Sequence, residues 1–292
     1  MATATTEIDA RLLRDWPLPV PGAAADKEDR GSTLVIAGGG ETPGAAMLAA
    51  TAALRAGAGK LAVATGASVA RGIALALVEA RVIALPESDF GGPAADGLAK
   101  IEARLGKVDA VLIGPGLHDA AATRAFTRRL LKRTTRAAVV LDALAMDVVL
   151  DMRRFERPPL LTPHAGEMAH LTGFAREEIA ADPERHAREA ALRWNAVVAL
   201  KGATTIVATP DGDCWRLTSQ QAGLGTSGSG DVLAGLIVGL AARGAPLAQA
   251  AAWAVALHAG AGAMLAARRG PVGYLASELA AEVPALMEKL AH

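Results

Sequence analysis

Short, mostly apolar runs punctuate this chain at 33–37, 61–65, 82–85, 110–113, 137–141, 160–162 and 197–200, each bounded by glycine, proline or charge. Runs of that length without polar alternation predict strands buried on both faces. Apolar residues at three- and four-residue spacing between them predict helices over 43–55, 68–79, 97–105 and 120–133. Pro43 suits a first helical turn, and Gly57 or Gly59 a stop. Segments 205–208 and 214–217 flank Pro210-Asp211-Gly212-Asp213, a hairpin signal. After Gly230 the pattern is helical throughout, over 232–242, 247–267 and 275–290.

Strands that alternate with helices imply an α/β fold whose parallel sheet is covered on both faces. In such sheets ligands gather at the carboxyl ends of the strands. The unusual segments fall there: after Ala37, Ile113, Leu141, Leu161 and Leu200, and at 225–231. No repeat or clear linker divides the chain. Residues 27–292 read as one domain, and residues 1–26 as a lead-in whose periodicity is broken by Pro17, Pro19 and Pro21.

Composition narrows the function classes. Hydrophobic residues make up 52% of the 292 residues and aromatics 3%, so the core must pack from small and branched aliphatics. Lys plus Arg and Asp plus Glu both number 30, which leaves no electrostatic footprint for nucleic acid or an anionic membrane. The one cysteine, Cys214, allows no intramolecular disulfide or cysteine-rich zinc site and fits a cytoplasmic setting. Glu7 and Asp9 near the N-terminus, with no basic start or apolar core, argue against a secretory signal. The apolar stretch 247–267 is alanine-rich and includes Gln249 and His258, which reads as a buried helix and not a membrane span.

The chemistry concentrates in Gly228-Ser229-Gly230-Asp231. A glycine-rich helix start offers unpaired backbone N–H groups and a partial positive charge, which favour an anion such as phosphate. An aspartate there can take a proton from an attacking hydroxyl. The plainer alternative is that Ser227 or Ser229 caps a helix and Asp231 favours its first turn. Two common phosphate-loop classes are disfavoured. Counting from Gly38, the sixth position of a G-x-G-x-x-G motif is Pro43, and no G-x-x-x-x-G-K-[ST] exists. His164, Glu167 and His170 have metal-ligand spacing, but Thr162-Pro163-His164 straddles a strand end and turn, so one helix would not present all three. Glu167 stays the candidate metal carboxylate.

Further strand-end segments join this one: Gly114-Pro115-Gly116, Thr162-Pro163-His164-Ala165-Gly166-Glu167 and Lys201-Gly202-Ala203-Thr204-Thr205. Each alone could be an ordinary turn. Together with Gly44-Ala45-Ala46, Val140-Leu141-Asp142-Ala143 and Gly228–Gly235, in this order, they resemble the ADP/ATP-dependent NAD(P)H-hydrate dehydratases, over a span from about Lys27 to the C-terminus. The resemblance implies a ribokinase-like three-layer αβα sandwich with a mostly parallel central sheet. It implies a repair reaction: removal of water from the hydrated cofactors NADHX and NADPHX, coupled to hydrolysis of ADP or ATP with Mg²⁺. By resemblance, Asp231 is the catalytic residue. Lys201, Gly202, Ala203, Thr204, Thr205, Gly228 and Gly230 hold the nucleotide, and Gly44, Ala45, Gly116, His164 and Asp231 the hydrated cofactor. Family members are often tetramers. In some relatives an epimerase is fused at the N-terminus; here a separate epimerase is expected.

The chain departs from the family pattern at three places. The glycine loop has Glu41-Thr42-Pro43 where a tyrosine is usual, Leu144 stands where a second aspartate is usual, and Ser219-Gln220-Gln221-Ala222 replaces an asparagine-containing stretch. Two alternatives stay open: a vitamin or sugar kinase of the same fold, since the Thr162–Glu167 and Lys201–Thr205 segments have looser counterparts in vitamin kinases, and an inactive nucleotide-binding relative, which Leu144 and the missing tyrosine suggest.

Overall fold

The structure is a computed structural model that describes residues 4–20, 22 and 26–292. Pro21, one of the three prolines of the lead-in, lies outside the described residues. In chain order the elements are β1 (Thr6–Glu7), α1 (Ala10–Asp15), β2 (Ser32–Ile36), α2 (Pro43–Arg55), β3 (Lys60–Gly66), α3 (Ala67–Ala76) and β4 (Arg81–Leu85). They continue with α4 (Leu98–Leu105), β5 (Ala110–Ile113), α5 (Ala120–Arg133), β6 (Ala138–Leu141), β7 (Leu160–Leu161), α6 (Ala165–Thr172), α7 (Arg176–Ala181) and α8 (Pro183–Trp194). Last come β8 (Val197–Leu200), β9 (Thr204–Ala208), β10 (Cys214–Thr218), α9 (Ser229–Ala242), α10 (Leu247–Arg269) and α11 (Ala276–Ala291).

The strands form one ten-stranded sheet in the order β1-β10-β9-β8-β7-β6-β5-β2-β3-β4. From β8 to β4 every pairing is parallel, with Thr33 opposite both Leu61 and Ala110. Strand β9 runs antiparallel to β10, as the Pro210–Asp213 turn requires, and antiparallel to β8, to which residues 201–203 join it. Strand side chains alternate between two cores. Val35 and Leu112 join one with helices α2, α9, α10 and α11, while Leu34, Ile36 and Ile113 join the other with α4, α5 and α8. Both faces being covered explains why these strands read as unbroken apolar runs.

The first core is built on a close helix pair. A Cβ at Gly235 would lie 2.2 Å from the Ala49 carbonyl oxygen, and one at Gly239 2.4 Å from that of Ala53, so α9 rests directly on the α2 backbone. Helix α10 is long and apolar enough to cross a membrane, yet it packs between α9 and α11 and buries Trp253 and Leu257 completely.

Two features differ from the sequence expectation. The lead-in is docked. β1 pairs in parallel with β10, the Ile8 amide donates to the Arg216 carbonyl at 2.8 Å, and Leu13 and Leu18 are buried. Trp16 stacks on Trp215 at 5.2 Å between ring centroids. Its carbonyl also accepts from the Trp253 indole at 2.8 Å. A two-residue strand and a six-residue helix are too short to show a period. The second feature is the helical excursion α6–α8 between β7 and β8, where the sequence marked only a turn. Asp182 caps α8 by accepting from the Arg185 amide at 3.2 Å.

Candidate functional site

Three adjacent strand ends bring their polar residues together. Asp142 follows β6, Thr162 follows β7 and Lys201 follows β8. The Thr162 hydroxyl donates to Asp142 Oδ1 at 2.6 Å, and Lys201 Nζ donates to the same oxygen at 3.2 Å. Glu167 Oε2 lies 3.7 Å from Lys201 Nζ. Asp142 is held from its backbone too. Gly114 has φ +132°, and a Cβ there would lie 1.7 Å from the Asp142 carbonyl oxygen. Ala143 takes left-handed backbone, φ 49°, a conformation that costs a non-glycine residue roughly 1 kcal/mol or more. The close approach that the glycine at 114 permits is therefore made by the protein's own chain.

His164 is the N-cap of α6. Its Nδ1 accepts from the Gly166 and Glu167 amides at 3.0 and 3.1 Å, and the Glu167 carboxylate accepts from the His164 amide at 2.8 Å. This is a capping box with histidine in the usual serine position. Because Nδ1 accepts, the neutral ring carries its proton on Nε2. His170 pairs instead with Asp147 at 3.2 Å. His164, Glu167 and His170 thus do not converge as their spacing allowed. Among the described residues no group of three or more His, Cys, Asp and Glu is placed to hold a metal.

Helix α9 begins at Ser229 after Gly228, whose φ of +86° turns the chain into the helix. No side chain caps it, so neither Ser227 nor Ser229 plays the capping role that the plainer expectation gave them. The Gly230 and Asp231 amides, in its first turn, have no place in the intrahelical ladder. Asp231 sits among charges: burial, with the negative charge of Asp142, pushes its pKa up to about 6, and Lys201 pulls the other way. For Lys201, burial works against the ammonium, but Asp142, Glu167 and Asp231 outweigh it, and its pKa is raised.

A cavity of about 490 Å³ opens here, lined by His164, Lys201, Gly202, Ala203, Thr205, Gly230 and His258, with Gln220 and Gln221 along one side. Thr204 and Gly228 stay off its wall. The Thr204 hydroxyl bonds that of Thr218 at 3.0 Å, and Gly228 abuts Leu48. His164 also borders a second cavity of about 330 Å³ with Leu144, Asp147 and His170. Leu144 therefore faces that cavity and takes no part in the Lys201 cluster.

Ala45 and Gly116 touch. A Cβ at Gly116 would lie 2.6 Å from that of Ala45, and the Thr42 hydroxyl donates to the Gly116 carbonyl at 3.0 Å. Thr42 also bonds His118 Nε2 at 3.0 Å, so the loop that lacks a tyrosine is pinned by a threonine and a histidine. Gly44 lies apart, on a third cavity of about 340 Å³ with Leu48 and Val232. In the sequence Asp142 and Thr162 stand in motifs without a role, and His258 stands out only as a polar residue in an apolar stretch. The first two are polar residues at strand ends, a signal that was available; the last is a lone histidine in an alanine-rich helix.

The layers, the switch of strand order about β5 and β2, and a glycine-rich helix mouth at the carboxyl ends define a ribokinase-like α/β protein. The fold matches that of a ribokinase-like superfamily protein from Enterococcus faecalis with a TM-score of 0.83 over 98% of this chain and 96% of the other, at 23% identity. Residues 33–285 match the family described as NAD(P)H-hydrate dehydratase, and the chain belongs to that family. It is 47% identical to the ADP-dependent (S)-NAD(P)H-hydrate dehydratase of Xanthomonas campestris, over 97% of this chain and 96% of the relative. It is 38% identical to the bifunctional NAD(P)H-hydrate repair enzyme of Moorella thermoacetica, of which it spans 56%. The ADP/ATP-dependent NAD(P)H-hydrate dehydratase of Bacillus subtilis, co-crystallized with ATP and Mg²⁺, superposes with a TM-score of 0.84 at 29% identity, over 99% of this chain and 100% of the other.

Proposed function

We propose that this protein dehydrates NADHX and NADPHX to NADH and NADPH at the expense of ADP or ATP. The observation that carries the reading is Asp231: a carboxylate with a pKa of about 6 at the mouth of an uncapped helix, beside a cavity that contains Lys201 and Gly230. Family membership supplies the substrate class.

The nucleotide occupies the 490 Å³ cavity. Lys201, Gly202, Ala203 and Thr205 line its path, and the Gly230 and Asp231 amides with the Lys201 ammonium meet the phosphates. Thr204 and Gly228 support this wall from behind. The hydrated ring lies toward Ala45, Gly116 and His164, with Gly44 at the start of α2 at its periphery. Asp231 takes the proton of the ring hydroxyl as that oxygen accepts the terminal phosphoryl group. The oxygen then leaves as inorganic phosphate, the neighbouring ring carbon loses a proton, and the double bond is restored. Asp142 keeps Lys201 in place and charged.

Mg²⁺ takes oxygen ligands, commonly one or two carboxylates plus substrate phosphates. Glu167, one carboxylate 3.7 Å from Lys201 Nζ and a quarter exposed, fits that donor set and would be its protein ligand. When bound, the ion supplies neutralisation of polyphosphate charge.

The same reading treats residues 27–292 as one catalytic domain with the preceding segment docked on it. It includes cytoplasmic residence, a homotetramer, and an epimerase partner that supplies the reactive epimer. The exposed Leu75, Val78 and Phe90 near the open edge strand β4 support subunit contacts, which light scattering would count.

The test is incubation with hydrated NADH, Mg²⁺ and ADP or ATP while reduced-nicotinamide absorbance is followed. Recovery with either nucleotide is expected. No recovery with both would sink the reading, and a stable phosphate ester of a small alcohol would replace it with a kinase.

A further inference from the structure

Helix α10 sends one polar side chain to the mouth of α9. His258 Nε2 lies 2.9 Å from Ser229 Oγ and 3.1 Å from the Ser229 carbonyl oxygen. A carbonyl only accepts, so Nε2 carries the hydrogen and Nδ1 a lone pair. Ser229 is the first residue of α9, buried, and directly precedes Gly230 and Asp231. The contact holds Ser229 by its hydroxyl and carbonyl oxygens and leaves the amides of the first turn open, since no side chain caps this helix. The imidazole also lines the cavity that holds Lys201, Gly202 and Gly230. Burial lowers its pKa to about 4; the Ser229 carbonyl opposes that and Lys201 adds to it. The ring is therefore neutral near pH 7, and adds no second cation beside Lys201.

We propose that His258 is a positioning residue for the nucleotide site: through its Nε2–H it fixes the first turn of α9, so that Gly230 keeps its place in the cavity wall and Asp231 its place beside it. The proposal rests on the reading that nucleotide binds there.

Three variants test it: His258→Leu, which keeps the bulk and removes the donor; His258→Gln, which keeps an N–H; and Ser229→Ala, which removes one acceptor. ADP affinity is measured by calorimetry, and kcat and the KM for NADHX by absorbance. Loss of a buried hydrogen bond predicts that His258→Leu weakens ADP binding about tenfold. The KM for NADHX stays within about twofold, and His258→Gln recovers ADP affinity to within about threefold of wild type. Ser229→Ala combined with His258→Leu adds little to the leucine variant alone. ADP affinity unchanged in His258→Leu, or equal loss in the Leu and Gln variants, overturns the proposal. If His258→Leu does not fold, the Gln variant decides, and a tenfold loss in it is the overturning result. Wild-type protein that binds ADP but recovers no NADH would remove the proposed reaction and leave the role of His258 in nucleotide binding standing.

Discussion

The pKa of about 6 for Asp231 has two consequences that pull against each other. A base must be ionised, so kcat/KM is expected to rise with pH through about 6. In Asp142→Asn the neighbouring negative charge is gone and Lys201 is freed toward Asp231. The acid limb should then move down by about one pH unit. A pH–rate profile whose limb stays in place would separate Asp142 from Asp231. The same shift makes Asp231 a cost to folding. Its pKa is raised above the ordinary 3.8, so its favourable contribution is full below pH 3.8 and is lost as pH rises through 6. Asp231→Asn should abolish turnover, keep ADP binding, and raise stability at pH 8 by roughly 1 kcal/mol, discounted for partial exposure. In thermal melts that advantage should fade toward pH 4. Asp231 and Lys201 were legible in the sequence because glycine and a charged residue at a strand or helix end form a local signal. Asp142 was legible only as a motif letter, since its work depends on Thr162 and Lys201, 20 and 59 residues away. His258 left no local signal of a role, because its partner lies on another helix.

Among the elements, the strands and long helices followed from periodicity nearly to their ends, since both cores reward it. What escaped were elements whose apolar content is low or whose length is short: α1 and α6–α8, held by caps and by contacts distant in sequence. Sequence also could not tell one helical glycine from another. Gly72 on α3 is exposed with open space around it, whereas Gly235 on α9 faces the Ala49 backbone. Alanine favours a helix over glycine by about 1 kcal/mol, so Gly72→Ala should stabilise by about that amount. At Gly235 the same change places a methyl 2.2 Å from a carbonyl oxygen. Overpacking costs about 1–3 kcal/mol, and a clash this close with backbone lies toward the upper end, so Gly235→Ala should destabilise by up to about 2 kcal/mol net of the helix gain. Urea midpoints of the two variants moving in the same direction would contradict this.

For the molecule as a whole, the first strand and helix close one end of the sheet. Trp16 joins three elements there, through its stack on Trp215 of β10 and through its carbonyl, which accepts from Gln249 and Trp253 of α10. The carbonyl bonds survive a side-chain change and the stack does not. Trp16→Ala should therefore cost about 2 kcal/mol and leave ADP affinity unchanged, because neither Trp16 nor Trp215 lines the cavity. A variant that melts like wild type would show that this segment only rests on the sheet. The path of α9 through the first core has a last consequence. Residues Val232 to Ala242 are all buried, and only Gly230 and Asp231 at the front are half open. Mobile ions meet this helix at its N-terminal opening and are kept from its buried body. Dissolved salt, which shields charges on a wetted surface within about 8–10 Å, has little access to the peptide dipoles behind the opening. The helix behaves like a conductor insulated along its length and bare at its mouth, and its pull on an anion there should persist at ionic strengths that weaken attraction to exposed lysines.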